Sequence, residues 1–149
     1  GGEVTRLFTG ALGRAFARIA NIFPVDERRP RQALDLAGEI LERGDALGWF
    51  PESWRTPTGE LQRFLPGVGQ LLTDHPVQVI PAYIAGSFQV LPRHARLPRL
   101  YPVEVRFGSS VTPNTLEAEG HGETTQDRIA DGLRKRVAAL ESRRPDPSA

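Results

Sequence analysis

The fold of this chain is decided by one strand-like stretch, VQVIPAYIA, at residues 77–85. Its Val, Ile and Tyr side chains favour a pleated, partly buried backbone, so the stretch predicts a β-strand. Pro81 has no N–H to donate to a neighbouring strand, and we therefore expect a bulge or a sheet edge at that position.

Helical and strand-like patterns alternate on both sides of this stretch. In the helical segments apolar side chains recur every three or four residues, and helix ends are marked by Pro30, Gly44 and the capping-box pair Thr124 and Asp127. The predicted helices cover residues 4–19, 30–41, 67–74 and 124–140, and the predicted strands cover residues 21–25, 46–50, 77–85 and 103–107.

This alternation predicts an α/β fold with a mainly parallel sheet and helices packed on its faces. At 149 residues the chain has the size of one domain, which we expect over residues 1–142, followed by a disordered tail over residues 143–149. The sequence has no initiator Met and opens directly into a helical pattern. We therefore expect a fold that is incomplete at its N-terminus, with room for a further domain fused upstream.

The composition excludes several kinds of site. A formal charge of +1 does not indicate a nucleic-acid partner. The absence of cysteine excludes disulfides and thiolate chemistry. The three histidines are too dispersed for a metal site. No apolar run reaches the ~20 residues that cross a bilayer. We expect no metal and no nucleic acid.

Polar clusters follow two of the predicted strands, at residues 26–29 and 52–58. In parallel α/β sheets ligands bind beyond the carboxyl ends of the strands, which is where both clusters fall. The sequence therefore places the candidate site in these two loops.

The second cluster has the side chains of a phosphate site. Arg55 can grip a phosphate through two parallel hydrogen bonds, and Glu52 can orient that arginine or accept from a substrate hydroxyl. Neutral donors come from Ser53, Thr56 and Thr58. The same residues also suit a plain turn, in which Gly59 supplies the bend and Arg55 forms a solvated ion pair. The residues alone leave both interpretations open.

Several blocks of the sequence resemble one family in order and spacing. FPESWRT at residues 50–56 resembles the FPEGTRS block of the glycerolipid acyltransferases, the family of 1-acylglycerol-3-phosphate acyltransferase. Further segments resemble the family's other blocks: NIFPVDE at residues 21–27, FLPGVG at residues 64–69 and VIPAYI at residues 79–84. Several ordered motifs are more specific than any one of them.

The resemblance implies that arginines of the two loops hold the phosphate of glycerol-3-phosphate or of a lysophospholipid acceptor. Arg55 inherits this role, Glu52 inherits the acidic position and Thr56 the final hydroxyl. Ser53 and Trp54 stand where the family has a Gly-Thr pair.

The earlier block departs further from the family pattern. Asp26 matches, but Glu27 stands where the family has an arginine. Arg28 follows one place later and becomes the candidate, with Arg29 as a competitor. Leu65 stands where the family commonly has a lysine, which removes one charge for a phosphate.

The family's reaction relies on a His-x-x-x-x-Asp motif, whose imidazole is the general base for the acceptor hydroxyl. No histidine of this sequence has an Asp at the fifth position after it: the residues found there are Ile80, Arg99 and Gln126. The resemblance therefore puts no catalytic residue in this chain, and we expect the motif upstream of Gly1.

The resemblance implies an acyltransferase that needs no cofactor and takes acyl-CoA or acyl-carrier protein as its donor substrate. The implied partners are this thioester, a phosphorylated glycerolipid acceptor and a membrane surface, and we expect a peripheral protein at the cytoplasmic, inner face of the membrane. Two alternatives stay open. One is a non-catalytic module that binds phosphate or anionic lipid, and the other is a structural fragment with neither function.

Overall fold

The computed structural model describes residues 30–92, 95 and 97–142. The predictions for the helix over residues 4–19 and the strand over residues 21–25 lie outside the described residues, as does the predicted tail. The candidate site residues Asp26 and Arg28 also lie outside them.

The first two described helices both begin at a proline, and one of these, Pro30, is a helix start that the sequence marks. Helix α1 spans Pro30–Glu42 and helix α2 spans Pro66–Asp74. Proline suits the first turn because its missing N–H would have no helical partner there and its φ angle is already helical. After α1 the chain turns at Gly44, whose φ of 79° lies in the left-handed region. Both helix predictions are confirmed.

The sheet of the described region has two antiparallel strands. Strand β1, Ala82–Ala85, pairs with strand β2, Glu104–Phe107, so that Ala82 lies opposite Phe107 and Ile84 opposite Val105. An isolated bridge between Val79 and Val111 continues the pairing.

The register shifts by one residue between this bridge and the strand pair, on either side of Pro81. The carbonyl of Pro81 accepts from the N–H of Gly108 at 2.8 Å, whereas its own nitrogen donates nothing. The irregularity predicted at Pro81 is confirmed.

The described residues show a mixed α and β structure, and the mainly parallel sheet is not seen among them. The strand predicted over residues 46–50 is wrong, because this segment has no regular secondary structure. Two partly buried side chains, Leu47 and Trp49, alternate with exposed neighbours, and Trp49 packs against the core. The apolar run therefore reflects a loop that inserts one large ring rather than a paired strand.

The C-terminal part is helical. Short helix α3 spans Ser87–Val90, helix α4 spans Pro113–Glu119 and helix α5 spans Thr125–Glu141. The capping box predicted at Thr124 and Asp127 is confirmed in both of its hydrogen bonds. Helices α3 and α4 were not predicted from the sequence.

The core lies where α2, α4 and α5 meet beside the sheet. The glycines of two helices allow the close approach: a methyl group at Gly69 would collide with the backbone of Gln126, and one at Gly132 with the backbone of Leu116. The buried cluster consists of Phe64, Val68, Leu72, Val111, Leu116, Ile129, Ala130, Leu133 and Val137. None of the helices in the described part of the chain is long and apolar enough to cross a membrane.

Candidate phosphate-binding loop

The loop that follows Phe50 is tied back onto the start of α2. The carbonyl of Pro51 accepts from the N–H of Leu65 at 2.9 Å, and Oε2 of Glu52 accepts from the N–H of Gln62 at 2.7 Å. A hydrogen bond from an amide to a carboxylate is charge-assisted and strong. The Glu52 side chain therefore points towards the backbone of Gln62 and fixes the shape of the loop.

Ser53 has a backbone conformation that glycine usually adopts. Its φ is 63°, and among the described non-glycine residues it is the one with a positive φ. Left-handed backbone costs an ordinary side chain about 1 to 2 kcal/mol. Its N–H donates to the carbonyl of Phe50 at 3.2 Å, which closes a tight turn at this position.

Arg55 joins the loop to a second loop. Its Nη2 donates to the carbonyl oxygen of Leu91 at 2.6 Å and to that of Pro92 at 3.0 Å. All hydrogen bonds from Arg55 to described side chains and backbone groups leave from this one nitrogen. The guanidinium is partly buried, and no carboxylate among the described residues pairs with it. Among the described residues Arg55 is therefore held by two backbone carbonyls and not by the ion pair of the plain-turn interpretation.

Thr56 shapes the end of the loop. Its Oγ1 accepts from the N–H of Gly59 at 3.0 Å and from the N–H of Thr58 at 3.3 Å. Nε2 of Gln62 donates to the same oxygen at 3.3 Å. Gly59 has a φ of 90°, which confirms the bend predicted there.

The structure places Glu52, Ser53, Arg55 and Thr56 on one ordered turn, whereas the candidates of the first loop lie outside the described residues. The exposed fraction is 64% for Trp54, which therefore extends from the same turn into solvent. The partners that sequence reasoning missed are the carbonyls of Leu91 and Pro92 and the amide of Gln62. Every residue type has a backbone carbonyl, so the sequence contains no signal that could identify these partners.

Tyr83 of strand β1 has a raised pKa, to which Glu52 contributes. Burial raises the pKa of the Tyr83 phenol above its ordinary value of 10.0, and a hydrogen bond to Glu141 raises it further. The carboxylate of Glu52 adds a smaller contribution in the same direction. The charge of Glu52 is therefore a minor part of the electrostatic environment of Tyr83.

A cleft of about 640 Å³ lies elsewhere, beside the first half of α5. None of the predicted site residues lines it. Its Asp131 accepts from Nζ of Lys135 at 2.8 Å and from the N–H of His121 at 2.9 Å, and the Lys135 contact lowers the pKa of this carboxyl. This acidic group of the cleft is therefore engaged within the protein, and the loop at residues 50–59 remains the candidate site.

A comparison with known protein families assigns this chain to one of them. A family model described as Acyltransferase matches residues 4–85, which is more than half of the chain and includes both polar loops. This chain belongs to the Acyltransferase family. No curated protein and no solved structure matches it.

In this acyltransferase domain the matched region ends at Ala85, the last residue of β1. Strand β2 and helices α4 and α5 lie beyond the match, yet α5 packs directly on a matched element at Gly69 of α2. The resemblance to acyltransferases that the sequence blocks indicated is thereby confirmed, and acyl transfer is the general activity of the domain.

Proposed function

We propose that this acyltransferase domain moves a fatty acyl group from acyl-CoA or acyl-carrier protein to glycerol-3-phosphate, lysophosphatidate or a related lysophospholipid. In this proposal the described chain supplies the part of the site that binds the acceptor's phosphate. The observation that carries the proposal is the ordered turn at residues 50–59, which lies inside the family match and presents an arginine that no described carboxylate neutralises.

The backbone of Ser53 supports the assignment of this turn. The family's block has glycine at this position, and Ser53 keeps a positive φ although this conformation strains a serine. Ser53 therefore has a backbone conformation that a glycine, the residue of the family's block, adopts without strain. Strained backbone of this kind clusters at functional sites.

Arg55 is suited to bind an anion while it is held by the protein. Its Nη2 is anchored to the carbonyls of Leu91 and Pro92, which leaves Nε and Nη1 to donate one hydrogen bond each to an anion. Both parallel forks of a guanidinium include Nη2, so the two-bond grip on a phosphate that the sequence suggested would require Nη2 to release one of these carbonyls. An arginine that is already oriented loses less rotamer freedom when a ligand binds. Glu52 and Thr56 hold the turn beneath it, as their bonds to Gln62 and Gly59 indicate.

The remaining parts of the proposal rest on residues outside the described ranges. Asp26 and Arg28 would complete the acceptor site from the first loop, and residues 21–25 would add the parallel part of the sheet. A His-x-x-x-x-Asp motif upstream of Gly1 would supply the general base. Because lysophospholipids reside in membranes, the protein would work as a peripheral protein at the inner, cytoplasmic face.

The second candidate is a non-catalytic module that binds phosphate or anionic lipid through the same turn. It needs the same turn but no general base, and it would use the same Arg55, Glu52 and Thr56. Both candidates predict phosphate binding, and turnover of an acyl-CoA by the protein in its natural length separates them.

The proposal is tested by binding of glycerol-3-phosphate to Arg55→Ala and Arg55→Lys, measured by titration calorimetry together with thermal unfolding. Loss of a charge-assisted pair costs about 2 kcal/mol, so we expect about a thirtyfold rise in Kd for Arg55→Ala. The matched control is Arg43→Ala, since Arg43 is exposed and pairs only with Glu39 among the described residues. If Arg55→Ala binds glycerol-3-phosphate unchanged but melts at a lower temperature, Arg55 only joins two loops and the proposal is wrong.

A further inference from the structure

Three residues on the outer side of strand β2 have backbone groups that no described residue binds. Gly108 donates from its N–H to the carbonyl of Pro81 at 2.8 Å, and in an antiparallel ladder such bonded pairs alternate with unbonded ones. Glu104 and Arg106 therefore bond to β1, whereas the N–H and C=O groups of the residues between and beside them point away from it. The residues with outward-pointing groups are Val103, Val105 and Phe107. We call them the outer edge.

The outer edge is apolar and exposed. The exposed fractions are 53% for Val103, 48% for Val105 and 68% for Phe107. An edge strand with free N–H and C=O groups is a template on which another strand can pair, and proteins often protect such edges with lysine or proline. Residues 103–107 contain neither of these residue types. The outer edge is therefore suited to bind a further strand.

Glu104 and Arg106 lie on the other face of β2, next to α5. Nη1 of Arg106 donates to the carbonyl of Glu141 at 2.8 Å, and its Nε donates to Oε1 of Glu104 at 2.8 Å. The acid and the base thus stand on either side of Val105, in the order Val-Glu-Val-Arg-Phe. This order is complementary to itself when two copies run in opposite directions, because apolar positions then meet apolar ones and the acid meets the base.

We propose that β2 pairs antiparallel with β2 of a second copy of this chain, with the twofold axis at Val105. In this register Val105 lies opposite Val105 of the second copy, Val103 lies opposite Phe107, and Glu104 lies opposite Arg106. Each pair of outer-edge residues exchanges two hydrogen bonds, because the groups that point away from β1 then face each other. The two copies share one sheet in the order β1-β2-β2-β1, with their apolar side chains next to each other across the axis.

The charges of β2 select this register. If the axis is moved to Glu104, the two copies of that carboxylate lie opposite each other, and if it is moved to Arg106, the two guanidinium groups do. Like charges directly across a strand pair are destabilising, whereas opposite charges stabilise the pair. With the axis at Val105 each Glu104 faces an Arg106, so the contact is self-complementary in the way that a twofold dimer requires.

The contact is small. A pair of five-residue strands buries less surface than the interfaces of stable complexes, so we expect a weak dimer that depends on protein concentration. Strand β2 lies beyond the residues that the family model matches, which end at residue 85. The inference is therefore independent of the proposed acyl acceptor and of the turn that would bind it.

Single cysteines test this register, since the sequence contains none of its own. Val105→Cys in the full chain should form a disulfide-linked dimer, because the Cα atoms of a hydrogen-bonded antiparallel pair lie about 5.5 Å apart. The matched control is Ile84→Cys, on the same face but one strand inward, where three strand spacings separate the two copies by about 14 Å. On mild oxidation we expect the Val105→Cys dimer to form severalfold faster than the control dimer.

A mixture of two variants tests the pairing at the ends of the contact. Val103→Cys and Phe107→Cys, mixed in equal amounts, should form mixed dimers severalfold faster than either variant links to itself. Two copies of Val103 lie four residues apart along the paired strands, which is about 13 Å. Equal rates in this comparison, or in the comparison of Val105→Cys with Ile84→Cys, would overturn the proposal.

Sedimentation equilibrium tests the same contact without a cross-link. The unchanged chain should show a dimer fraction that rises with concentration, and Val105→Lys should raise the dimer Kd severalfold because two ammonium groups meet at the axis. Ile84→Lys places the same charge on the same face away from the axis and should leave Kd unchanged. A chain that is monomeric throughout, or a dimer that Val105→Lys leaves intact, would overturn the proposal. Loss of the dimer in both lysine variants would also overturn it, because whole sheet faces would then pack together.

Discussion

Arg55 donates from Nη2 to the carbonyl oxygen of Leu91 at 2.6 Å, across 36 positions of sequence. This bond, with the second one to Pro92, joins the candidate phosphate loop to the loop that follows α3. Because the guanidinium is held by neutral carbonyls rather than by a carboxylate, its charge is not cancelled within the described residues. The same side chain can therefore stabilise the loop and attract an anion.

The strained turn gives a first prediction. Ser53→Gly removes the cost of a positive φ and should raise the free energy of unfolding by up to about 1 kcal/mol. Ser53→Val places a β-branched side chain in left-handed backbone and should lower it by about 1 to 3 kcal/mol. Urea denaturation measures both. Ser109→Gly, at an exposed loop position without positive φ, is the control and should not stabilise the protein.

The packing of α2 against α5 gives a second prediction. Gly69→Ala places a methyl group against the backbone of Gln126, which cannot move aside without separating the helices, and should destabilise the fold by about 1 to 3 kcal/mol. Gly67→Ala lies in the same helix with open space around its Cβ, and should stabilise the fold by up to about 1 kcal/mol. Thermal unfolding of the two variants checks the pair. Similar melting temperatures would contradict the close approach.

The centre of the core gives a third prediction. Leu116 is fully buried, with an exposed fraction of 0%, and Leu116→Ala should cost about 2 to 5 kcal/mol because it leaves a cavity. Leu100 is fully exposed, and Leu100→Ala should change the free energy of unfolding by less than about 0.5 kcal/mol. A small effect at Leu116 would show that α4 does not pack as described. Chemical denaturation of both variants measures the difference.

A pH dependence follows from Glu117 of α4. The hydrogen bond that Arg128 donates to it at 2.6 Å lowers the pKa of this carboxyl below its ordinary value of 4.5, and Thr125 contributes to the shift. A carboxyl with a lowered folded-state pKa gives stability that is fully present above the ordinary value and is lost as the pH falls through the folded value. The stability of the Glu117→Gln variant should therefore fall less than that of the unchanged protein when the pH is lowered below 4.5.

The partner of Glu117 supplies the control for this pH prediction. Arg128→Gln removes the partner that lowers the pKa of Glu117. The melting temperature of this variant should therefore also fall less steeply as the pH is lowered. The double variant should then be no flatter than either single variant, because the two residues form one interaction. Additive effects in melting temperature between about pH 3 and about pH 7 would contradict this account.

Local signals in the sequence predicted what depends on neighbouring residues. Pro30 starts a helix, Thr124 and Asp127 form their capping box, and Pro81 disturbs the strand pairing, each for a reason that acts within a few residues. Residues 46–50 misled the prediction, since an apolar run fits a buried strand as well as a loop that inserts Trp49 into the core.

What the sequence could not reveal depends on contacts between distant residues. The antiparallel pairing of β1 with β2 is set by tertiary packing around α5, to which Tyr83 and Arg106 both bind. In the candidate site, Arg55 and Glu52 were predicted from their residue types, but their partners are backbone groups of Leu91 and Gln62. Backbone groups are the same at every position, so no sequence pattern identifies them.

The central claim is that Arg55 binds the phosphate of the acyl acceptor, and the most direct measurement is the NMR signal of its Nε–H group. The signal is followed as glycerol-3-phosphate is added, with glycerol as the matched ligand that lacks the charge. We predict a saturable shift with glycerol-3-phosphate and none with glycerol. An Nε–H signal that stays in place while glycerol-3-phosphate binds elsewhere in the protein would contradict the account.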